Sequence, residues 1–198
     1  MDFFRWLWIP LVLVVVALSI ASIRIYRDSR ASKQALSKML KSTAEAFSTG
    51  ADDTRVSLYT VRNDGLLSLY SSSDSNYEFP TDFAIPMASG TAGQAWLKGM
   101  PISGSFTAAD VHTWGATPQQ REFAQPIRSE LAVPLIDSKG KTLGVFTIDS
   151  SYPLKESRLG EEDRIRIAEE IAKMITSLLA DPKRFDPNVI PSPPQDLG

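Results

Sequence analysis

Short runs of apolar and β-branched residues in the middle of the chain follow a pattern typical of β-strands. Residues 55–61 and 66–70 flank an Asn-Asp-Gly turn signal and predict a hairpin. Residues 131–136 and 142–148 predict a second hairpin around a turn in which Gly140 takes the left-handed conformation. Both strands of this second hairpin are too apolar for a sheet with one wet face. We therefore expect protein to cover both of their faces.

Apolar residues at helical spacing predict two long helices, one before and one after the strands. Residues 28–48 carry apolar positions three or four apart, and residues 161–179 carry a similar stripe that follows three acidic residues. Short helices are predicted over residues 90–99 and 119–125, and a weak third strand within residues 102–111. Antiparallel hairpins between long helices predict an α+β fold.

The two faces of the predicted sheet should have different coverings. The terminal helices are expected to lie together on one face and to contribute Leu36, Leu40, Ile165, Ile171 and Ile175 to its core. Residues 72–128 must then cover the opposite face. Within them, Thr91 is expected to cap the N-terminus of the first short helix.

An uncharged run of 18 residues, 6–23, precedes the predicted domain. As a helix it spans roughly 27 Å, close to the ~30 Å hydrocarbon core of a bilayer. The run predicts a single-pass anchor over residues 1–27. A cleaved signal peptide is the alternative, because residues 19–21 resemble a small-x-small cleavage site. Basic residues follow the run at once, which favours an uncleaved anchor with the domain in the cytoplasm.

Residues 28–48 are expected to continue the membrane helix as an amphipathic stem. Its basic residues could approach an anionic leaflet, but setting the orientation of the anchor is their simpler role. Parallel dimerisation along the stem is an alternative to packing on the domain. Arg30 and Lys33 interrupt the apolar seam, which favours packing on the domain.

The amino-acid composition limits the kinds of catalytic and ligand-binding site that the chain can form. The 198 residues include no cysteine and one histidine, and the net charge is −2. The absence of cysteine excludes disulfides, thiolate metal sites and thiol nucleophiles, and a lone histidine argues against a multi-histidine metal site. Residues 1–41 hold seven of the 21 Lys and Arg but two of the 23 acids, so the remainder is acidic. We therefore expect no metal and no nucleic-acid partner.

Three segments resemble, in order and spacing, the GAF domain family of small sensory modules related to PAS domains. They are SGTAGQAWLKGMPI, SELAVPLIDSKGKTLGVFTIDS and LGEEDRIRIAEEIAKMI. The resemblance covers about residues 35–180 and implies a GAF/PAS-like antiparallel sheet, with the domain at 49–180. Residues 181–198 are rich in proline and predict a disordered tail.

Departures from the family limit what the resemblance implies. The Asn-Lys…Phe…Asp-Glu signature of cyclic-nucleotide-binding members is missing. Bilin attachment and free methionine sulfoxide reduction in this family use cysteine, so neither is expected here. No pair of carboxylates is identified as acid and base, and we expect no enzyme activity. The sequence identifies no cofactor.

By resemblance, a ligand pocket lies between the sheet and the covering residues. Candidate binding residues are Tyr59, Trp96, Asp110, His112, Trp114 and Arg121. The histidine could bind an anion or a haem, or be an ordinary loop residue. The tryptophans could stack on a planar ligand or fill the core, and the arginine could pair with a carboxylate or phosphate or be exposed. Gly90 and Gly93 hint at a phosphate nest but lack the P-loop lysine.

These observations predict a membrane-anchored cytoplasmic sensory module that binds a small molecule and signals to a separate effector or a second copy. The alternative is a GAF-fold scaffold that dimerises or recruits a partner without a ligand. The chemistry of the ligand and the identity of the partner do not follow from the sequence.

Overall fold

The structure, a computed structural model, describes residues 29–50, 54–62, 65–73, 84–87, 89–107 and 118–179. The predicted anchor and tail, together with Asp110, His112 and Trp114, lie outside the described residues. Within the described part of the chain, no helix combines the length and apolar character that crossing a membrane requires.

The described residues alternate between helices and antiparallel strands. In chain order they form α1 (Ser29–Phe47), β1 (Thr54–Val61), β2 (Leu66–Ser72), β3 (Ala84–Pro86), α2 (Gly90–Lys98), β4 (Ile102–Ser105), α3 (Pro118–Ala124), β5 (Ser129–Ile136), β6 (Thr142–Ser150), α4 (Leu154–Ser157) and α5 (Glu162–Leu179). This is an α+β fold, as predicted.

The six strands form one antiparallel sheet in the order β3-β2-β1-β6-β5-β4. The two hairpins meet where β1 pairs with β6, with Tyr59 opposite Val145. Gly144 allows the strands to approach closely at this seam, because a Cβ there would lie 2.1 Å from the carbonyl oxygen of Tyr59. The centre of the sheet therefore depends on one glycine.

Helices α1 and α5 pack on one face of the sheet and enclose the larger core. Leu40 and Ile175 are fully buried there against Leu58 and Phe146. The predicted contribution of Leu36, Leu40, Ile165, Ile171 and Ile175 to this core is confirmed, with Ile165 only partly buried. The apolar stripes of both helices account for this packing.

Arg164 of α5 joins the two terminal helices at one end. Its guanidinium donates a hydrogen bond of 3.1 Å to the backbone oxygen of Phe47 and lies 5.2 Å from the centre of that residue's ring. A cation at the C-terminal end of a helix also interacts favourably with the helix dipole. The end of α1 is thus fixed to α5.

Helix α2 covers the opposite face. Ala92 and Ala95 are buried there against Ala132 and Val145. Gly93 brings the helix close to β3, since a Cβ at this position would lie 2.8 Å from the backbone oxygen of Met87. All residues of β5 except Ile136 are buried, so the prediction that both faces of the second hairpin are covered is confirmed.

The local predictions are confirmed in part. The short strand predicted within residues 102–111 is present as β4, whereas β3 and α4 are not predicted at all. The prediction that Thr91 caps α2 is wrong, because Ser89 occupies the N-cap position. The side chain of Thr91 instead makes a hydrogen bond with Glu130 on the sheet.

Candidate functional site

A row of polar side chains crosses the three central strands beneath α2. Asp149 of β6 lies directly opposite Arg55 of β1 on one side and Glu130 of β5 on the other. Because side chains alternate along a strand, all three lie on the same face as Tyr59, which faces α2. The two carboxylates are only 4% and 6% exposed. Buried charges of this kind need partners.

Arg55 supplies the partner of Asp149. Its Nε and Nη2 atoms donate hydrogen bonds of 3.2 and 3.0 Å to the same carboxylate oxygen, Oδ2. Burial raises the pKa of Asp149, and the charge and hydrogen bonds of Arg55 oppose this rise. Since the guanidinium fork is directed at Asp149, we assign the negative charge of the row to Asp149.

Glu130 has a different environment from Asp149. Its carboxyl group makes a hydrogen bond with the Thr91 hydroxyl in the first turn of α2. Burial, and then the charge of Asp149, raise the pKa of Glu130 to about 8. At neutral pH Glu130 is therefore protonated, and the carboxyl pair carries a single negative charge.

Tyr59 adds a neutral hydroxyl to the same surface. Burial, followed by the charge of Asp149, raises the pKa of Tyr59 well above its usual value. Its hydroxyl makes a hydrogen bond with Ser57, two residues earlier on the same strand face. Tyr59 is consequently a hydrogen-bonding group that remains uncharged over the whole physiological pH range.

These groups line a small cavity between the sheet and α2. Its volume is about 20 Å³, measured as the space open to the centre of a water molecule. The described lining consists of Tyr59, Glu130 and Asp149, the first turn of α2 from residue 89 to 92, and the apolar residues Ile85, Phe106, Ala124 and Ile127. A water molecule needs roughly 10–15 Å³ by this measure, so the cavity has room for about one.

Two further polar atoms lie close by without hydrogen-bond partners. In the part of the chain that the structure describes, Thr147 Oγ1 and Trp96 Nε1 are buried and unpaired. Thr147 precedes Asp149 by two residues on the same strand face, and Trp96 packs from α2 against the adjacent apolar cluster. An unsatisfied buried group costs about 1–3 kcal/mol. The interface between α2 and the sheet therefore has spare hydrogen-bonding capacity.

The structure brings only part of the predicted site together. Tyr59 lines the cavity, whereas Trp96 packs beside it and Arg121 is a partly buried residue of α3 outside the described lining. Gly90 lines the cavity, but Gly93 is needed for the close approach of α2 to β3. The remaining candidates, Asp110, His112 and Trp114, lie outside the described residues.

The predicted site omits five polar residues that the structure places at or beside the cavity: Arg55, Thr91, Glu130, Thr147 and Asp149. A usable signal exists, since Glu130, near the start of one strand, and Asp149, near the end of the next, are the only acidic residues in these two largely apolar strands. Buried polar residues are more informative than exposed apolar ones. Counting the register from the turn alone would place Glu130 opposite Ile148. The irregularity between Leu135 and Ile136 shifts the pairing by one residue, so that Glu130 lies opposite Asp149.

Fold and site together define a small α+β module with a small, mostly apolar cavity, bordered by a buried carboxyl pair, between an antiparallel sheet and a short helix. The family model described as the GAF domain matches residues 31–180. The chain therefore belongs to the GAF domain family. None of the curated proteins compared with the chain matches it.

Solved structures show the same fold. The GAF domain of an Acinetobacter phosphoenolpyruvate-protein phosphotransferase superimposes with a TM-score of 0.58 at 14% identity, covering 85% of this chain and 92% of that one. The type II free methionine-R-sulfoxide reductase from Thermoplasma acidophilum gives 0.55 at 16% identity, with coverages of 76% and 93%. The free methionine-R-sulfoxide reductase from Neisseria meningitidis, in complex with its substrate, gives 0.50 at 22%, with coverages of 76% and 87%.

Identities this low show similarity of fold alone. Two of these three neighbours are enzymes, so the expectation that this chain is not an enzyme stays a prediction.

Proposed function

We propose that this chain is a sensory module that binds a small molecule between its sheet and α2. Residues 1–27 anchor it to a membrane, with the domain on the cytoplasmic side. Membership of the GAF domain family supports the sensory part, since these domains are generally sensory or regulatory. The observation that carries the proposal is the buried row of Arg55, Asp149 and Glu130 beside a cavity.

The lining favours a ligand that both donates and accepts hydrogen bonds. Asp149 accepts through its carboxylate, while Tyr59 and Glu130 supply hydroxyl groups. A cavity that holds about one water molecule cannot hold an organic ligand, so α2 has to move outward on binding. This movement would also expose Thr147 and Trp96, whose buried polar atoms would then find partners.

The signal would pass through the central strands. Residues of β5 and β6 contact α2 on one face and the core of α1 and α5 on the other. A ligand shifts this arrangement only as far as it binds one state more tightly than the other. Because α1 follows the proposed anchor directly, a change in its packing would reach the membrane or a neighbouring protein.

A thermal-shift screen of the full-length chain tests ligand binding. Amino acids, small amines, nucleotides, haem and organic acids are the compounds to screen. A ligand at 100 times its Kd contributes about 2.7 kcal/mol, which raises the Tm by about 5–11 °C for a chain of this size. We expect Tyr59→Phe to reduce the shift and Tyr152→Phe, which alters a residue that is 39% exposed, to preserve it. Absence of a shift with every compound would contradict the proposal.

The small volume of the cavity favours a second candidate, a scaffold that holds a partner or a second copy without any ligand. Gel filtration of the detergent-solubilised chain, with and without candidate ligands, separates the two functions. A stable complex whose composition is unaffected by every compound supports the scaffold. An assembly that changes with the same compound that raises the Tm supports the sensor.

A further inference from the structure

The carboxyl groups of Glu130 and Asp149 are paired across the sheet in a way that allows only one of them to be charged. The two residues lie directly opposite each other on β5 and β6, and both are more than nine-tenths buried. Two ionised carboxylates in such a dry site repel each other strongly. Arg55 lies beyond Asp149, on β1, and its hydrogen bonds go to Asp149.

The described lining of the cavity contains no positively charged side chain. Tyr59 of β1 stays neutral, and β4 presents Gly104 opposite Glu130. Helix α2 contributes uncharged Thr91, and the region of α3 contributes the apolar side chains of Ala124 and Ile127. The positive end of the α2 dipole favours an ionised Glu130, but this effect is weaker than the burial of a second negative charge.

We propose that Glu130 and Asp149 act as a proton-operated latch on α2, which closes the helix onto the sheet while Glu130 is protonated and opens more often once the proton is lost. The link is the hydrogen bond between Glu130 and Thr91, which joins the acid to α2. This bond lowers the pKa of Glu130 and so favours its ionised form, but burial and the charge of Asp149 act in the opposite direction and are larger. Loss of the Glu130 proton to solvent leaves two adjacent negative charges. Their repulsion is relieved at the lowest cost in free energy when α2 moves away from the sheet and water hydrates both carboxylates. The latch operates without a ligand and so goes beyond the proposed function.

The direction of the pH dependence follows from which state holds the proton more tightly. In the closed state the pKa of Glu130 is about 8, whereas a hydrated carboxyl group has its ordinary value near 4.3. The equilibrium constant for closure of α2 is therefore largest at low pH. It falls by up to about tenfold per pH unit until the pH passes about 8. The closing of α2 is thus sensitive to pH across the range of pH found in cytoplasm.

Hydrogen–deuterium exchange of the full-length chain between pH 5.5 and 9 tests the latch. After correction for intrinsic exchange rates, protection of the α2 amides should fall at least tenfold from pH 6 to pH 8 and then level off. Protection of α5 should stay constant. Glu130→Gln, a neutral isostere of the protonated acid, should abolish the pH dependence. Glu122→Gln, at an exposed position of α3, should behave like the wild type.

Two outcomes would overturn the latch. One is protection of α2 that does not vary with pH in the wild type, a result that needs no variant. The other is an unchanged pH dependence in Glu130→Gln. Thr91→Val tests the link itself, because it keeps the shape of the side chain and removes the hydroxyl. We expect low protection of α2 in this variant already at pH 6, and wild-type protection there would show that Thr91 is not the link.

Discussion

Arg55 and Asp149 illustrate how strongly burial changes the importance of an ion pair. Their side chains are 13% and 6% exposed, while Arg158 and Glu161 form a pair that is 40% and 44% exposed. Exposed pairs contribute about 0–1 kcal/mol to stability because solvent screens them. Removing one member of a buried pair leaves an uncompensated charge, which is far more costly.

We expect Arg55→Met to lower the free energy of unfolding by about 3 kcal/mol, because Asp149 loses both of its hydrogen bonds from the guanidinium. Arg158→Met is the matched control and should change stability by about 0.5 kcal/mol or less. Urea unfolding followed by circular dichroism measures both. Equal losses in the two variants would show that Asp149 does not depend on Arg55.

At the scale of single residues, the sequence predicts the site poorly, and the reason is physical. The sequence leaves two positions open for Tyr59, in the pocket or under the terminal helices, because alternation along the strand does not assign its face. The structure places it in the lining of the cavity. Glu130 and Asp149 are functional candidates only because they are buried and opposite each other. Both properties depend on the pairing of β5 with β6 and on the position of α2. Neither is visible in the spacing of the residues.

The long elements follow from the sequence much more directly. Residues at helical period predict α1 and α5, and two turn signals with flanking β-formers predict both hairpins. Strand β3 is only three residues long and exists because Leu67 of β2 pairs with Ile85. Helix α4 is a single turn of four residues. Elements this short are determined by tertiary contacts, which local patterns do not contain.

The junction of β1 with β6 offers a prediction at the scale of elements. We expect Gly144→Ala to lower the free energy of unfolding by about 3 kcal/mol or more, because the new methyl group meets the backbone oxygen of Tyr59 at 2.1 Å. A backbone atom in a central strand cannot turn aside as a side chain can. Unfolding in urea, or a loss of soluble domain during expression, would report the effect.

Gly160→Ala is the control for this substitution. Its Cβ would lie at ordinary contact distances of 3.5 Å from Ser103 Oγ and 3.7 Å from Leu154. Its stability should therefore be within about 0.5 kcal/mol of the wild type. A Gly144→Ala variant as stable as Gly160→Ala would mean that β1 and β6 separate more easily than the sheet indicates.

At the scale of the whole molecule, the proposed anchor determines where the domain works. We expect the full-length chain to remain in the membrane fraction after alkaline extraction, and a chain lacking residues 1–27 to be soluble. In intact bacterial spheroplasts, residues 50–180 should resist external protease, because basic residues after the apolar run favour the cytoplasmic side. Permeabilised spheroplasts provide the control. Digestion without permeabilisation, or a mature chain without its first 21 or so residues, would contradict the anchor.

Helix α1 is part of the wall of the domain, because Leu36, Met39, Leu40, Ala44 and Phe47 are all buried in its core. The earliest of these, Leu36, comes nine positions after residue 27, so about 14 Å of helix would separate the core from the bilayer. With the proposed anchor in place, a connection this short would hold the module close to the bilayer. It would lie almost against the lipid headgroups, and any effector would have to approach from the side or from below.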